Sequence, residues 1–292
     1  MAIEETARVE RHVPVTHIAA FVVVTLAVSG AVAAVTISDT VSNATTIPIM
    51  ITPALTAIGL RRLQGVSTRR TIVSSLRGTT LRAAAFAVGF PVVFIAVAAV
   101  VALTTGLGTY DPGGGAFAYT GPAFLFPVFL LLVGVITYGE ELGWRGYLLP
   151  DLADRVGPVA ATALVGVVWA LYHFPALYFG AQATGLGDPL IVALIQMGAV
   201  FAVATFPISY SYFLSDGSVI PPVLLHLTWN ILNPWVLGNV YTNVEGFVAG
   251  QVILISGEGL LGLVVGLVTL VGVAVLMHRQ TFFGSGMSTS GR

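Results

Sequence analysis

Eight apolar runs, most of them near the length a helix needs to cross a bilayer, constrain this chain more than anything else in it. They cover residues 17–37, 43–60, 83–103, 122–149, 158–174, 189–213, 221–234 and 254–277. Only 9% of the 292 residues are charged, against roughly 25% in a soluble domain. Inside lipid every backbone polar group must find its partner within the protein, and a helix does that locally. The expected fold is therefore all-α: a polytopic membrane bundle of about eight transmembrane helices around an intramembrane polar site. Residues 1–292 read as one integral-membrane domain, with a polar N-terminal segment at 1–16, a motif-bearing core at 138–234 and a disordered tail at 281–292. Pro48 and Pro53 are expected to kink the second run. Pro150 is expected to stop the fourth, and Pro175 to stop or kink the fifth.

The arginines sort the loops. With eight spans both termini fall on one side, and Arg8, Arg11, six arginines between residues 61 and 82, Arg145, Arg155, Arg279 and Arg292 all fall there too. An excess of basic residues marks the cytoplasmic side, so both termini are expected in the cytoplasm and the chain in the cell membrane. Ala31-Val32-Ala33 resembles a signal-peptide cleavage site, but the first run is longer than a signal core and reads as a span. The chain has no cysteine, which excludes thiol chemistry and disulfides, and a net charge of -1 gives no footprint for nucleic acid.

Against this background Tyr138-Gly139-Glu140-Glu141-Leu142-Gly143-Trp144-Arg145 stands out. Ionisable groups at membrane depth are costly and mark functional sites. Glu141 and Arg145 are four apart, so on a helix they pair, and Glu140 is turned about 100° away as a free carboxylate. Two further polar positions lie within spans: His173 in the fifth, and His226 with Asn230, four apart on one face, in the seventh. Each alone is equally a hydrogen bond that glues two helices. Together, a carboxylate, two imidazoles and an amide from three spans are the parts of a hydrolytic site.

Glu-Glu-x-x-x-Arg, aromatic-x-x-x-His and His-x-x-x-Asn, in that order on successive spans, resemble the CAAX prenyl endoprotease and bacteriocin-processing (CPBP, or Abi) family of intramembrane proteases. The resemblance covers about a third of the chain and departs in one place, Trp169 where Phe is commoner. It implies hydrolysis of a peptide bond of a membrane-associated protein or peptide, in or at the lipid bilayer. Glu140 would activate water, His173 would help hold that water, His226 and Asn230 would bind the oxyanion, and Glu141 with Arg145 would brace the helix. The family is classed as metalloproteases, and a metal-free glutamate mechanism is also argued for it. In the first case Glu140, His173 and His226 would be the zinc ligands. Asn230 can orient His226 or share its role.

Rival readings are weaker. Tyr110-Asp111 and Gly185-x-Gly187-Asp188 mimic aspartyl intramembrane proteases, but both aspartates fall in Gly/Pro-rich loops, and Asp188 before Pro189 reads as a helix cap. A rhomboid-type serine element is absent from the spans. A small-molecule transporter or a non-catalytic immunity or scaffold protein is the non-enzymatic alternative. One distance counts against the hydrolytic site. If the fourth helix stops at Leu149, Glu140 lies ~14 Å from its cytoplasmic end and His173 ~22 Å from its own, a mismatch of ~8 Å.

Overall fold

The computed structural model describes residues 13–36, 43–115, 121–215 and 217–286. Twelve helices are described: α1 (Val15–Thr36), α2 (Asn43–Leu63), α3 (Thr68–Ser75), α4 (Leu81–Thr105), α5 (Phe126–Gly143), α6 (Leu149–Val156), α7 (Pro158–Thr184), α8 (Pro189–Ala199), α9 (Phe206–Phe213), α10 (Ile220–Leu237), α11 (Val252–Ile255) and α12 (Leu260–Gly286). Six helical segments among the described residues are long and apolar enough to cross a membrane: Val15–Val35, Leu81–Thr105, Ala123–Val156, Pro158–Thr184, Pro189–Phe213 and Val252–Arg279. The second and seventh expected runs are helices as well, α2 and α10, but lie outside that set. In α10 the residues His226, Asn230 and Asn233 and three prolines lower the apolarity. The polytopic helical bundle expected from the runs is the observed fold.

Two of the rods are single helices with a wider turn in the middle. A π-helical segment, Trp144–Leu148, joins α5 to α6, and a second, Val200–Thr205, joins α8 to α9. In each case a proline follows one residue into the next α-segment: Pro150 after Leu149, and Pro207 after Phe206. A proline in the first turn of an α-segment lacks only an N–H that has no partner there anyway. Pro150 therefore does not stop the fourth helix, which runs on to Val156. Pro175 does not stop α7 either, which continues to Thr184. With these ends Glu140 lies 16 residues from Val156 and His173 lies 15 from Pro158, so the depth mismatch of the straight-helix estimate disappears.

Packing places α2 against α5 and α1, α7 against α1 and α8, and α10 against α4, α5 and α9. The α2–α5 contact is close because Gly143 faces Pro53: a Cβ on Gly143 would stand 2.3 Å from the Pro53 Cβ. Pro53 also lacks the N–H that would meet the Ile49 carbonyl within α2. The Tyr172 hydroxyl of α7 donates to that carbonyl instead, tying α2 to α7 beside His173. On the far side of the bundle from the arginine loops, β1 (Gly108–Tyr110) pairs antiparallel with β2 (Val248–Gly250), Gly108 opposite Gly250. This ladder anchors the loop between α10 and α11 to the end of α4. The eighth run resolves into two pieces, short α11 and long α12, with Ser256–Gly259 as the turn between them. The last helix reaches Gly286, six residues into the stretch expected as a tail, and the segment 1–12 and residues 287–292 lie outside the described residues.

Candidate active site

α5, α7 and α10 bring Glu140, His173, His226 and Asn230 onto one cavity of about 240 Å³. Glu140 is 1% exposed and lies at the cavity wall. The Trp169 indole donates to its Oε1 at 2.6 Å and the Trp144 indole at 3.4 Å. Neither reaches Oε2, and no other donor to it is seen among the described residues. Oε1 of this carboxylate thus accepts from two indoles, while Oε2 has no donor among the described residues.

The two histidines are fixed by different partners. His173 Nδ1 is 2.8 Å from the Trp169 carbonyl. A carbonyl only accepts, so Nδ1 carries the hydrogen and Nε2 of the neutral ring is an acceptor. That Nε2 is 4.0 Å from Glu140 Oε1. A single water donating one hydrogen to each spans acceptors up to about 4.6 Å apart, from ~2.8 Å bonds at the tetrahedral angle. The pair is therefore spaced to share one water. His226 Nδ1 is 2.8 Å from Glu141 Oε1. Glu141 in turn takes both of its oxygens to Arg145 Nη1, at 3.1 and 3.0 Å. Glu141 and Arg145 are each fully buried, and the guanidinium stacks over the Trp169 ring at 4.5 Å.

The expected Glu141–Arg145 pair is present, with Glu140 turned away from it toward the cavity. Glu141 does more than brace α5. It orients the His226 ring, a role assigned in the sequence to Asn230, which makes no hydrogen bond to that ring. The half-buried Asn230 instead lines the cavity with its amide unpartnered among the described residues. Among the described residues no group of three or more His, Asp or Glu stands ready to hold a metal. His226 and His173 both bond through Nδ1, to Glu141 and to the backbone, which leaves each Nε2 free as in a metal-binding histidine, while Oε1 of Glu140 accepts from two indoles. Asp188 caps α8 through Leu190 N and Ile191 N, both at 3.0 Å, and Asp111 turns its loop through Gly113 N at 2.9 Å. Neither faces the cavity, so the aspartyl arrangement is not formed.

Tyr172, Tyr241 and Glu258 line the cavity and carry no signal in the three motifs. Glu258 sits in the turn before α12 and accepts from the Trp229 indole at 2.9 Å. Burial first, then the carboxylates of Glu258 and Glu140, push the Tyr241 phenol well above its usual range, so it stays an O–H donor. Gly257-Glu258-Gly259 was a usable sign, a lone acid between glycines at the head of an apolar run.

Residues 121–232 match the family model described as type II CAAX prenyl endopeptidase Rce1-like. These residues are similar to that family. CAAX prenyl protease 2 of Methanococcus maripaludis is 30% identical over 157 residues, which are 48% of this chain and 54% of that protein. The chain thus spans about half the length of the curated relative it matches. All six motif residues, Glu140, Glu141, Arg145, His173, His226 and Asn230, fall inside the matched stretch. Asn233, Tyr241 and Glu258 fall outside it, although they line the same cavity.

Proposed function

We propose that this protein is an intramembrane endopeptidase that hydrolyses a peptide bond of a membrane-associated protein or peptide, with Glu140 as the base that activates water. The observation that carries this reading is the Glu140 carboxylate, with Oε1 held by Trp169 and Trp144 and 4.0 Å from His173 Nε2, and with Oε2 open to the cavity. A water donating to both groups is oriented and partly deprotonated. As it attacks the substrate carbonyl, its proton passes to Glu140 and its oxygen bonds the carbonyl carbon. The oxyanion is met by the Asn230 amide and by His226 Nε2. For Nε2 to donate, the His226 ring carries both protons, and the Glu141 carboxylate at Nδ1 is the counter-charge for that form. Collapse breaks the C–N bond, and the leaving amine takes the proton from Glu140.

The arginine distribution supports an orientation with both termini cytoplasmic. Cleavage of a quenched fluorescent peptide library by the purified protein, wild type and Glu140→Gln, each with and without a strong chelator and added zinc, tests the assignment. Cleavage that survives Glu140→Gln overturns the role of Glu140. Cleavage lost with chelator and restored by zinc adds a metal to the mechanism. A wild-type protein that cleaves nothing favours the scaffold alternative.

A further inference from the structure

Glu258 takes no part in the steps above, yet its placement is tightly built. Asn233 of α10 holds the turn that carries it: Asn233 Oδ1 accepts from Gly257 N at 2.8 Å, and Ser256 Oγ accepts from Glu258 N at 3.3 Å and donates to the Gly238 carbonyl at 3.3 Å. Gly257 packs so closely that a Cβ there would stand 2.7 Å from Asn233 Oδ1 and 2.8 Å from the Trp229 ring. The carboxylate that results accepts from the Trp229 indole through Oε1 alone. Oε2 has no donor among the described residues. The cavity is otherwise mostly apolar, no arginine lines it, and the chain contains no lysine. Trp229 and Tyr241 line it beside the acid. The cavity's own basic groups are the imidazoles of His173 and His226, and neither is hydrogen-bonded to Glu258. A carboxylate with one free oxygen, flanked by aromatic rings and with no lysine or arginine in the same cavity, is built to take a cationic side chain.

We propose that Glu258, with Trp229 and Tyr241, forms a subsite for a cationic side chain of the substrate, lysine or arginine, close to the scissile bond. The proposal rests on the endopeptidase reading for the substrate being a peptide, and it makes Glu258 a specificity-determining residue. An ionised partner at such a carboxylate discriminates against its neutral isostere by roughly 10- to 100-fold.

Two measurements test it. In the first, library peptides are made in pairs carrying lysine or norleucine at each position within three residues of the cleaved bond. The wild type is expected to prefer lysine at one position by tenfold or more in kcat/KM, and Glu258→Gln to bring that ratio toward one. In the second, calorimetry compares butylguanidinium with its neutral analogue butylurea, which needs no cleavage. Butylguanidinium is expected to bind more tightly, with the difference kept in Glu140→Gln and lost in Glu258→Gln. If Glu258→Gln fails to fold, Trp229→Phe, which removes the indole N–H from Glu258, is expected to narrow both differences. Equal binding of the two probes by wild type overturns the subsite whether or not any peptide is cleaved. Cleavage without a lysine preference at any position overturns it while leaving the endopeptidase reading intact. Tighter binding of butylguanidinium with no cleavage keeps the subsite and overturns the endopeptidase reading.

Discussion

Arg145→Met is expected to be among the most destabilising single changes in this protein. Arg145 Nη1 holds both oxygens of Glu141 at 3.1 and 3.0 Å, and neither side chain has any exposed surface. Methionine keeps most of the volume but leaves the Glu141 carboxylate buried with one donor, His226 Nδ1 at 2.8 Å. Stranding one partner of a buried ion pair costs about 3–5 kcal/mol. Losing the guanidinium over the Trp169 ring, at 4.5 Å, adds about 0.5–2 kcal/mol. The folded-to-unfolded ratio should fall by roughly two and a half to five orders of magnitude. Unfolding in mixed micelles, followed by tryptophan fluorescence, measures it. The double variant Glu141→Gln/Arg145→Met should cost less than the two single changes added together, because it leaves no orphan charge. A loss below about 1 kcal/mol for Arg145→Met, or strict additivity in the double variant, would refute the view that this pair is mutually compensating.

Three further outcomes are expected. Gly143→Ala forces α2 from α5, since the new methyl would stand 2.3 Å from Pro53 Cβ, and should cost about 1–3 kcal/mol in the same unfolding assay; a change under about 0.5 kcal/mol would show that the helices separate freely. Trp169→Phe keeps an aromatic ring but removes the 2.6 Å donor to Glu140, and should lower kcat roughly 10- to 100-fold with KM little changed; a change in KM alone would assign Trp169 to substrate binding. Asp188→Ala removes the cap of α8 and should cost about 1 kcal/mol without altering cleavage; loss of cleavage in a folded Asp188→Ala protein would reopen the aspartyl mechanism.

The helices and the motif residues were legible because each signal is local. An apolar run of span length, or a four-residue spacing on a helix, needs no knowledge of what lies across the bundle. What crosses between helices was not legible. Nothing in the spacing shows that Glu141 reaches His226, 85 positions away in the chain. The indole donors to Glu140 were hidden for the same reason: Trp169 reads as the aromatic of a motif, not as a hydrogen-bond donor 29 residues from its acceptor. Pro150 misled because a wider helical turn precedes it, whereas the rule that Pro ends a helix assumes unbroken α geometry. Glu258 was absorbed into an apolar run that is really a short helix, a turn and a long helix.

The spacing of Glu141 and Arg145 bears on how the chain is made. Their pairing lies within one helical segment, four residues apart, so it needs no other part of the protein. When the fourth span first enters the bilayer, the seventh, with His226, has not yet been synthesised. The arginine already carries its counter-ion, so this pair can be handed to lipid without a net charge of its own. Glu140 has no such companion on its own span beyond the weak indole contact of Trp144, and its strong donor, Trp169, arrives with the next. The fourth and fifth spans are therefore expected to leave the insertion machinery as a pair, joined at the carboxylate that later faces the cavity.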